Sequence, residues 1–176
     1  MATPIFPAGT QAQGNVSKRF LQTVSLTAPT VAQVTATTAI DASCFLYEGA
    51  GMVDVDENKV DSQRRLCSRN TFQRFGNRTY SVGDLMYVYD QQAEDTTDVN
   101  KLYAALVPGS KMFLLDRFGL DAQQVDFAVG QFVDIIPVQL GERVPMADTG
   151  NEANEIQIKQ PLIVTATPVR KVKIVA

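Results

Sequence analysis

The sequence predicts a mainly β protein: an antiparallel unit of alternating strands with one covered face, flanked by one short α-helix. Three observations predict it. Residues 106–141 hold the two best strand candidates, other alternating segments recur along the chain, and a single segment carries a convincing helical period. Within 106–141, Met112, Phe113, Leu114 and Leu115 form an apolar run closed by Asp116, Arg117 and Gly119. Residues 132–140 then alternate, with Phe132, Ile136, Val138 and Leu140 on one face and Asp134 as the misfit. A strand repeats its face every second residue, so the pattern buries one side and leaves the other available. Pro137 has no amide donor and is expected at a sheet edge or a bulge.

The other elements follow in chain order. Residues 1–15 are poor in charge and periodicity and contain Pro4, Pro7, Gly9 and Gly14. With the apolar pair Ile5 and Phe6 they read as a loose tail or as an arm laid across a neighbouring subunit. Residues 20–26 form a strand candidate, with Phe20, Gln22, Val24 and Leu26 on one side. One or two helical turns follow, with Pro29 in the first turn and Val31 and Val34 sharing a face. The threonines after Gln33 oppose a longer helix. Residues 41–47 return to strand character through Cys44, Phe45, Leu46 and Tyr47, and Gly49 and Gly51 mark a turn.

Residues 52–63 read as a solvated strand or turn. Asp54, Asp56 and Glu57 invite a calcium site, but the central glycine and closing glutamate of an EF-hand loop are missing. Residues 79–90 form a strand with Leu85, Tyr87 and Tyr89 on one face and Asp84, Met86, Val88 and Asp90 on the other. The helix spans 98–107, where Val99, Leu102, Tyr103 and Leu106 take amphipathic positions. Thr97 is the expected N-cap, Asp98 complements the dipole, and Pro108 and Gly109 stop the helix. An acidic loop at 145–155 precedes a strand at 156–167 that Pro161 interrupts. Residues 169–175 are basic and β-prone. There Arg170, Lys171 and Lys173 discourage non-specific edge pairing while permitting a partner of opposite charge. The organisation expected is an arm at 1–22 and a single domain at 23–176. That domain carries a long charged loop around 52–80 and a C-terminal strand or arm at 168–176.

Composition narrows the function. The chain has 176 residues, enough for one domain with a real core. Its net charge of −3 argues against a nucleic-acid or membrane binder by charge alone. The charges are segregated: residues 59–78 carry 6 basic and 1 acidic side chains, and residues 79–158 carry 4 basic and 13 acidic. Such segregation suits head-to-tail self-association or closure within one subunit. The chain has no histidine, which removes histidine-based general bases, zinc ligands and triads together. It carries no nucleophile elbow, P-loop, dinucleotide fingerprint or paired-cysteine motif, so no enzyme activity and no cofactor are expected. No run approaches the ~20 apolar residues of a membrane span, and the first residues lack the pattern of a secretory signal. Cys44 and Cys67 read as small buried thiols of a reducing compartment, with a disulfide between them as the alternative. Arg117 reads as a structural salt bridge rather than an anion site.

The segment RRLCSRNTFQRFGNR places Phe72 and Phe75 among Arg64, Arg65, Arg69, Arg74 and Arg78. Interleaved Arg and Phe suit single-stranded nucleic acid. Without an RNP-type motif, and with acidic segments nearby, pairing with carboxylates within or between subunits is favoured.

The order of segments is distinctive. TAPTVAQVTATTAIDASCFL precedes RRLCSRNTFQRFGNRTYSVGDLMYVYD, then TDVNKLYAALVPG, KMFLLDRFG and AVGQFVDIIPVQLGERVP. This layout resembles the major tail tube proteins of long-tailed, non-contractile bacteriophages, especially those infecting actinobacteria. The resemblance covers most of the chain and rests on order and spacing. It implies two antiparallel sheets packed as a β-sandwich or rolled barrel with one flanking helix, in a structural virion protein assembled in the host cytoplasm, whose six-subunit rings stack into a hollow tube. Double-stranded DNA would pass through without specific binding. Tape-measure, tail-terminator and tail-tip proteins would be partners, and no membrane would be involved. A negative lumen is implied, with Asp84, Asp90 and Asp134 as inward-facing candidates and Asp54 and Asp56 in reserve. Candidate contacts between subunits and rings are Ile5, Phe6, Arg64, Arg65, Arg69, Arg74, Arg78, Arg170, Lys171 and Lys173. A capsid-decorating or head–tail joining phage protein, and a nucleic-acid-binding module built on residues 64–78, stay open as alternatives.

Overall fold

The computed structural model describes residues 9–147 and 155–176. In chain order its strands are β1 (Val16–Leu21), β2 (Ile40–Asp41), β3 (Val53–Asp61), β4 (Gln73–Val82), β5 (Leu85–Val88), β6 (Lys111–Phe118), β7 (Phe132–Leu140), β8 (Val144–Met146), β9 (Gln157–Gln160), β10 (Leu162–Val164) and β11 (Val169–Lys173). The helices are α1 (Val31–Val34) and α2 (Lys101–Ala105), the second entered through a 3-10 turn at Asp98–Asn100. The main sheet runs β10-β7-β6-β1-β2, with β11 also on β7. A smaller sheet runs β5-β9-β8, and among the described residues β3 pairs only with β4. All these ladders are antiparallel.

β6 and β7 form the centre because both of their faces are apolar. Leu114, Ile136, Val138 and Leu140 meet Phe20, Leu85, Tyr87, Leu102 and Leu106 in a core between the main sheet, the smaller sheet and α2. On the opposite face Leu115, Val133 and Ile135 meet Leu21, Val34, Phe127 and Ile174. A sheet covered on both sides needs apolar residues at successive positions, not at alternate ones. The expectation that one face of 132–140 stays available is therefore corrected: α1 and its flanks cover it. Pro137 is likewise not at an edge. It pairs with Phe113 of β6, and its carbonyl accepts the Thr165 N–H at 2.9 Å. Its missing N–H would point to that same side, where the neighbour of β7 changes from β10 to β11. An absent donor costs least at such a break.

Other boundaries move for local reasons. The first strand begins at Val16 rather than Phe20, so the end of the expected 1–22 arm lies in the main sheet, paired along β6. The 41–47 strand shrinks to β2, because the chain turns at Ala42, where Phe45 and Leu46 N–H groups bond back to its carbonyl. The expected 79–90 strand splits at Gly83 and Asp84. Gly83 N–H bonds Met52 O at 2.8 Å, and β5 leaves for the smaller sheet. Pro29 precedes α1 instead of opening it. Thr30 caps it, with its hydroxyl accepting Gln33 N–H and Gln33 Oε1 accepting Thr30 N–H, both at 3.2 Å.

The helix expected at 98–107 forms over 98–105, with Leu102 and the following Leu106 fully buried. Thr97 does not cap it, since its hydroxyl donates to Glu94 O at 2.7 Å. Buried Asn100 instead organises the acidic turn before it, bonding Asp90 N–H, Asp90 O and Ala93 O. The break at Pro161 is present, and it separates β9 in one sheet from β10 in the other. Gly141 is needed at this crossing, because a Cβ there would lie 2.6 Å from Pro161 Cγ. Cys44 and Cys67 are free and exposed, not buried or bridged. Among the described residues no helix is long and apolar enough to cross a membrane.

Candidate assembly interface

The long charged loop expected around 52–80 is a projecting hairpin. Valines and tyrosines favour strands, and β3 and β4 pair from Val53↔Val82 to Asp61↔Gln73. Only its base is anchored: Val53 and Val82 pack against the core, and Tyr80 is half-buried. The register shifts between Glu57 and Lys59, opposite Gly76. A Cβ at Gly76 would sit 2.9 Å from Val60 Cγ2, so the bulge needs glycine. Ser62 closes the tip, its N–H and hydroxyl both donating to Phe72 O at 2.7 and 2.6 Å.

Beyond the base the hairpin faces solvent on both sides. Phe72 and Phe75 are each 67% exposed and Leu66 fully so. A two-stranded hairpin alone is marginal in water, and clustered exposed apolar side chains mark interaction surfaces. Arg78 pairs with Glu57 and donates to the Tyr80 hydroxyl at 3.3 Å. Among the described residues, Arg64, Arg65, Arg69 and Arg74 have no carboxylate partner. The hairpin thus presents cations and aromatics together, a composition favoured at interfaces.

The hairpin's root is fixed by a buried ion pair that sequence reading missed. Lys18 on β1 faces Asp116 on β6 in register. Its ammonium lies 2.9 Å from both carboxylate oxygens and 3.0 Å from Gly51 O, just before β3. Burial pushes the Asp116 carboxyl above the usual carboxylate range, while Lys18 pulls it back. Gly51 has φ +63, and a Cβ there would be 3.0 Å from Leu85 Cδ2. On the other sheet face, Arg19 and Arg117 lie on the Phe127 ring at 4.4 and 4.2 Å. Among the described residues, the salt bridge expected for Arg117 is absent. Its guanidinium instead donates to Ser17 Oγ, Gln131 Oε1 and the carbonyls of Asp121 and Val125, holding the β6–β7 connection. The signal for this was the polar residues Ser17 and Arg19 on the strand that reading from Phe20 onward excluded.

The expected lumen carboxylates do not form one cluster. Asp84 pairs with Lys159 at 3.0 Å. Asp134 pairs with Arg170 at 3.0 Å and accepts the Lys171 N–H at 2.7 Å. That second bond holds Lys171 at φ +53, in the irregular stretch of β11. Asp90 is exposed and its carboxylate caps the turn at Gln92 N–H. Asp54 and Asp56 are exposed on β3. Lys171 also lies over Phe132 at 5.6 Å, and Lys173 is exposed. Ile5 and Phe6 lie outside the described residues.

No curated protein sequence matches the chain. A family model described as phage tail tube protein matches residues 3–176. An antiparallel β fold with one short helix and a hairpin its own core does not cover accords with that match, and the chain belongs to the phage tail tube protein family, whose members are structural proteins of the virion tail.

Proposed function

We propose that this protein assembles into stacked rings of six that form the hollow tube of a long, non-contractile phage tail, through which double-stranded DNA passes into the host. The observation that carries this reading beyond family membership is the hairpin β3–β4. It sets Leu66, Phe72 and Phe75 in solvent beside arginines that have no carboxylate partner among the described residues. A surface of that kind is stable when a second copy covers it. In this reading the hairpin meets a different surface of the next copy, a head-to-tail contact, and head-to-tail contacts build rings or filaments.

The bore is the acidic side of the assembly, since phosphate must slide and not bind. Asp54, Asp56 and Asp90 contribute most to it, because Asp84 and Asp134 carry Lys159 and Arg170 with them. Arg170, Lys171 and Lys173 meet a neighbouring copy, as do Ile5 and Phe6. Tape-measure, tail-terminator and tail-tip proteins complete the tail. Electron microscopy of the purified protein tests the reading. Hollow tubes with a regular axial repeat support it. Rings or trimers that never stack favour a capsid-decorating or head–tail joining role, and salt-sensitive retention on single-stranded DNA favours nucleic-acid binding.

A further inference from the structure

We infer that a row of four charged side chains carries changes at the C-terminal strand β11 to the root of the β3–β4 hairpin. Lys18 on β1 lies opposite Asp116 on β6, and Asp116 lies opposite Asp134 on β7. Residues opposite one another in a ladder share a face, so the three stand in line. Asp134 in turn holds β11: its Oδ2 lies 3.0 Å from Arg170 Nη1, and its Oδ1 accepts the Lys171 N–H at 2.7 Å. Each end of the row grips a residue in the left-handed region. At one end the Lys18 ammonium donates at 3.0 Å to the carbonyl of Gly51, whose φ is +63. At the other stands Lys171, φ +53, the one non-glycine residue with positive φ among the described residues, in a conformation uncommon for a residue with a side chain.

Like charges directly opposite in a ladder repel. Asp116 and Asp134 stand side by side because each has its own cation, Lys18 for one and Arg170 for the other. The four groups feel one another: burial lifts the Asp116 carboxyl most, Lys18 opposes it, Asp134 adds to the rise and Arg170 lowers it. The row also runs from interior to surface. The side chains of Lys18 and Asp116 are 7% and 4% exposed, that of Asp134 15% and that of Arg170 47%, so only the Arg170 end can be reached from outside. An acidic surface that draws Arg170 away leaves two carboxylates to share one ammonium. Lys18 then turns toward Asp134, its bond to Gly51 O weakens, and the hairpin root loosens. This goes beyond the tube reading, because it concerns a single chain and adds that a contact made at Arg170 is felt at the hairpin.

Hydrogen exchange of the unassembled protein tests it. The root is read at the amides of Gly51, which bonds Asp84 O at 3.2 Å, and Gly83, which bonds Met52 O at 2.8 Å. Arg170→Ala should speed exchange of both at least about threefold, the scale on which substitutions along a coupled network act. Lys173→Ala removes an exposed cation from the same strand but outside the row, and should leave both rates within about twofold of native. Adding Asp134→Asn to Arg170→Ala removes the second carboxylate charge while keeping an oxygen for the Lys171 N–H, and should restore the native rates. A smaller change at the root in Arg170→Ala overturns the coupling. So does faster exchange that Lys173→Ala reproduces, or that Asp134→Asn fails to reverse, since the cause is then lost packing on β11 and not charge. Every one of these results is read in the free chain, so none of them decides whether rings and tubes form.

Discussion

Two antiparallel strand pairs of nearly equal length dominate this molecule, and they have opposite fates. β6 with β7 has both faces buried, and nine of its side chains lie in the two apolar clusters or against them. β3 with β4 is anchored at its base and open to water for the rest. Backbone pairing is the same in kind in both. The difference lies in what covers the faces, since ladder hydrogen bonds contribute little net stability once water competes for them. The first pair holds the monomer together. The second reserves its apolar side chains for another chain.

The comparison can be broken by measuring what each region contributes. The largest effect is expected at the ion pair that joins them. Asp116→Leu strands the Lys18 ammonium in the core and should cost about 3–5 kcal/mol in urea unfolding of the unassembled protein, whereas Asp116→Leu with Lys18→Met should recover most of it. Next is the core itself. Leu114→Ala empties a fully buried site and should cost about 2–5 kcal/mol in the same experiment. In the hairpin, Phe72→Ala should change monomer stability by less than about 0.5 kcal/mol while abolishing tubes in electron micrographs. If Phe72→Ala costs as much as Leu114→Ala, the hairpin belongs to the monomer's fold and the contrast fails.

The smallest effect concerns pH. Asp41 has a carboxyl below its ordinary value: burial raises it, but Ser43 and Arg19 outweigh that. A depressed folded-state pKa contributes stability that is present above the unfolded value of about 3.9 and lost as pH falls through the folded value. Asp41→Asn should therefore lower the urea midpoint at pH 7 and much less at pH 3. Its side chain is 48% exposed, so the loss should stay below about 1 kcal/mol.

The same contrast explains what could be read from residues alone. The bounds of β7, the apolar face of the short helix and the break at Pro161 were legible, because each has a local signal: a period, a stop pair, a missing N–H. The second covered face of β7 was not, since Val133 and Ile135 become core only when α1 and the C-terminal residues fold over them. The hairpin was half legible. Residues 52–63 read as a solvated strand or turn, and β3 alternates in burial only near its base; beyond it the pair is exposed on both sides, and the arginines of residues 64–78 looked like a loop. The paired states of Asp84 and Asp134 depend on Lys159 and Arg170, distant in sequence, and no spacing rule brings them together.

The account's centre is that the hairpin is unfinished in one chain and completed by another. Hydrogen exchange of residues 62–75, compared between unassembled protein and assembled tubes, tests it most directly. The tip amides should exchange rapidly in the free protein and become strongly protected in the tube, with β6 and β7 protected in both. Tubes in which the tip exchanges as fast as it does in the free chain would contradict it.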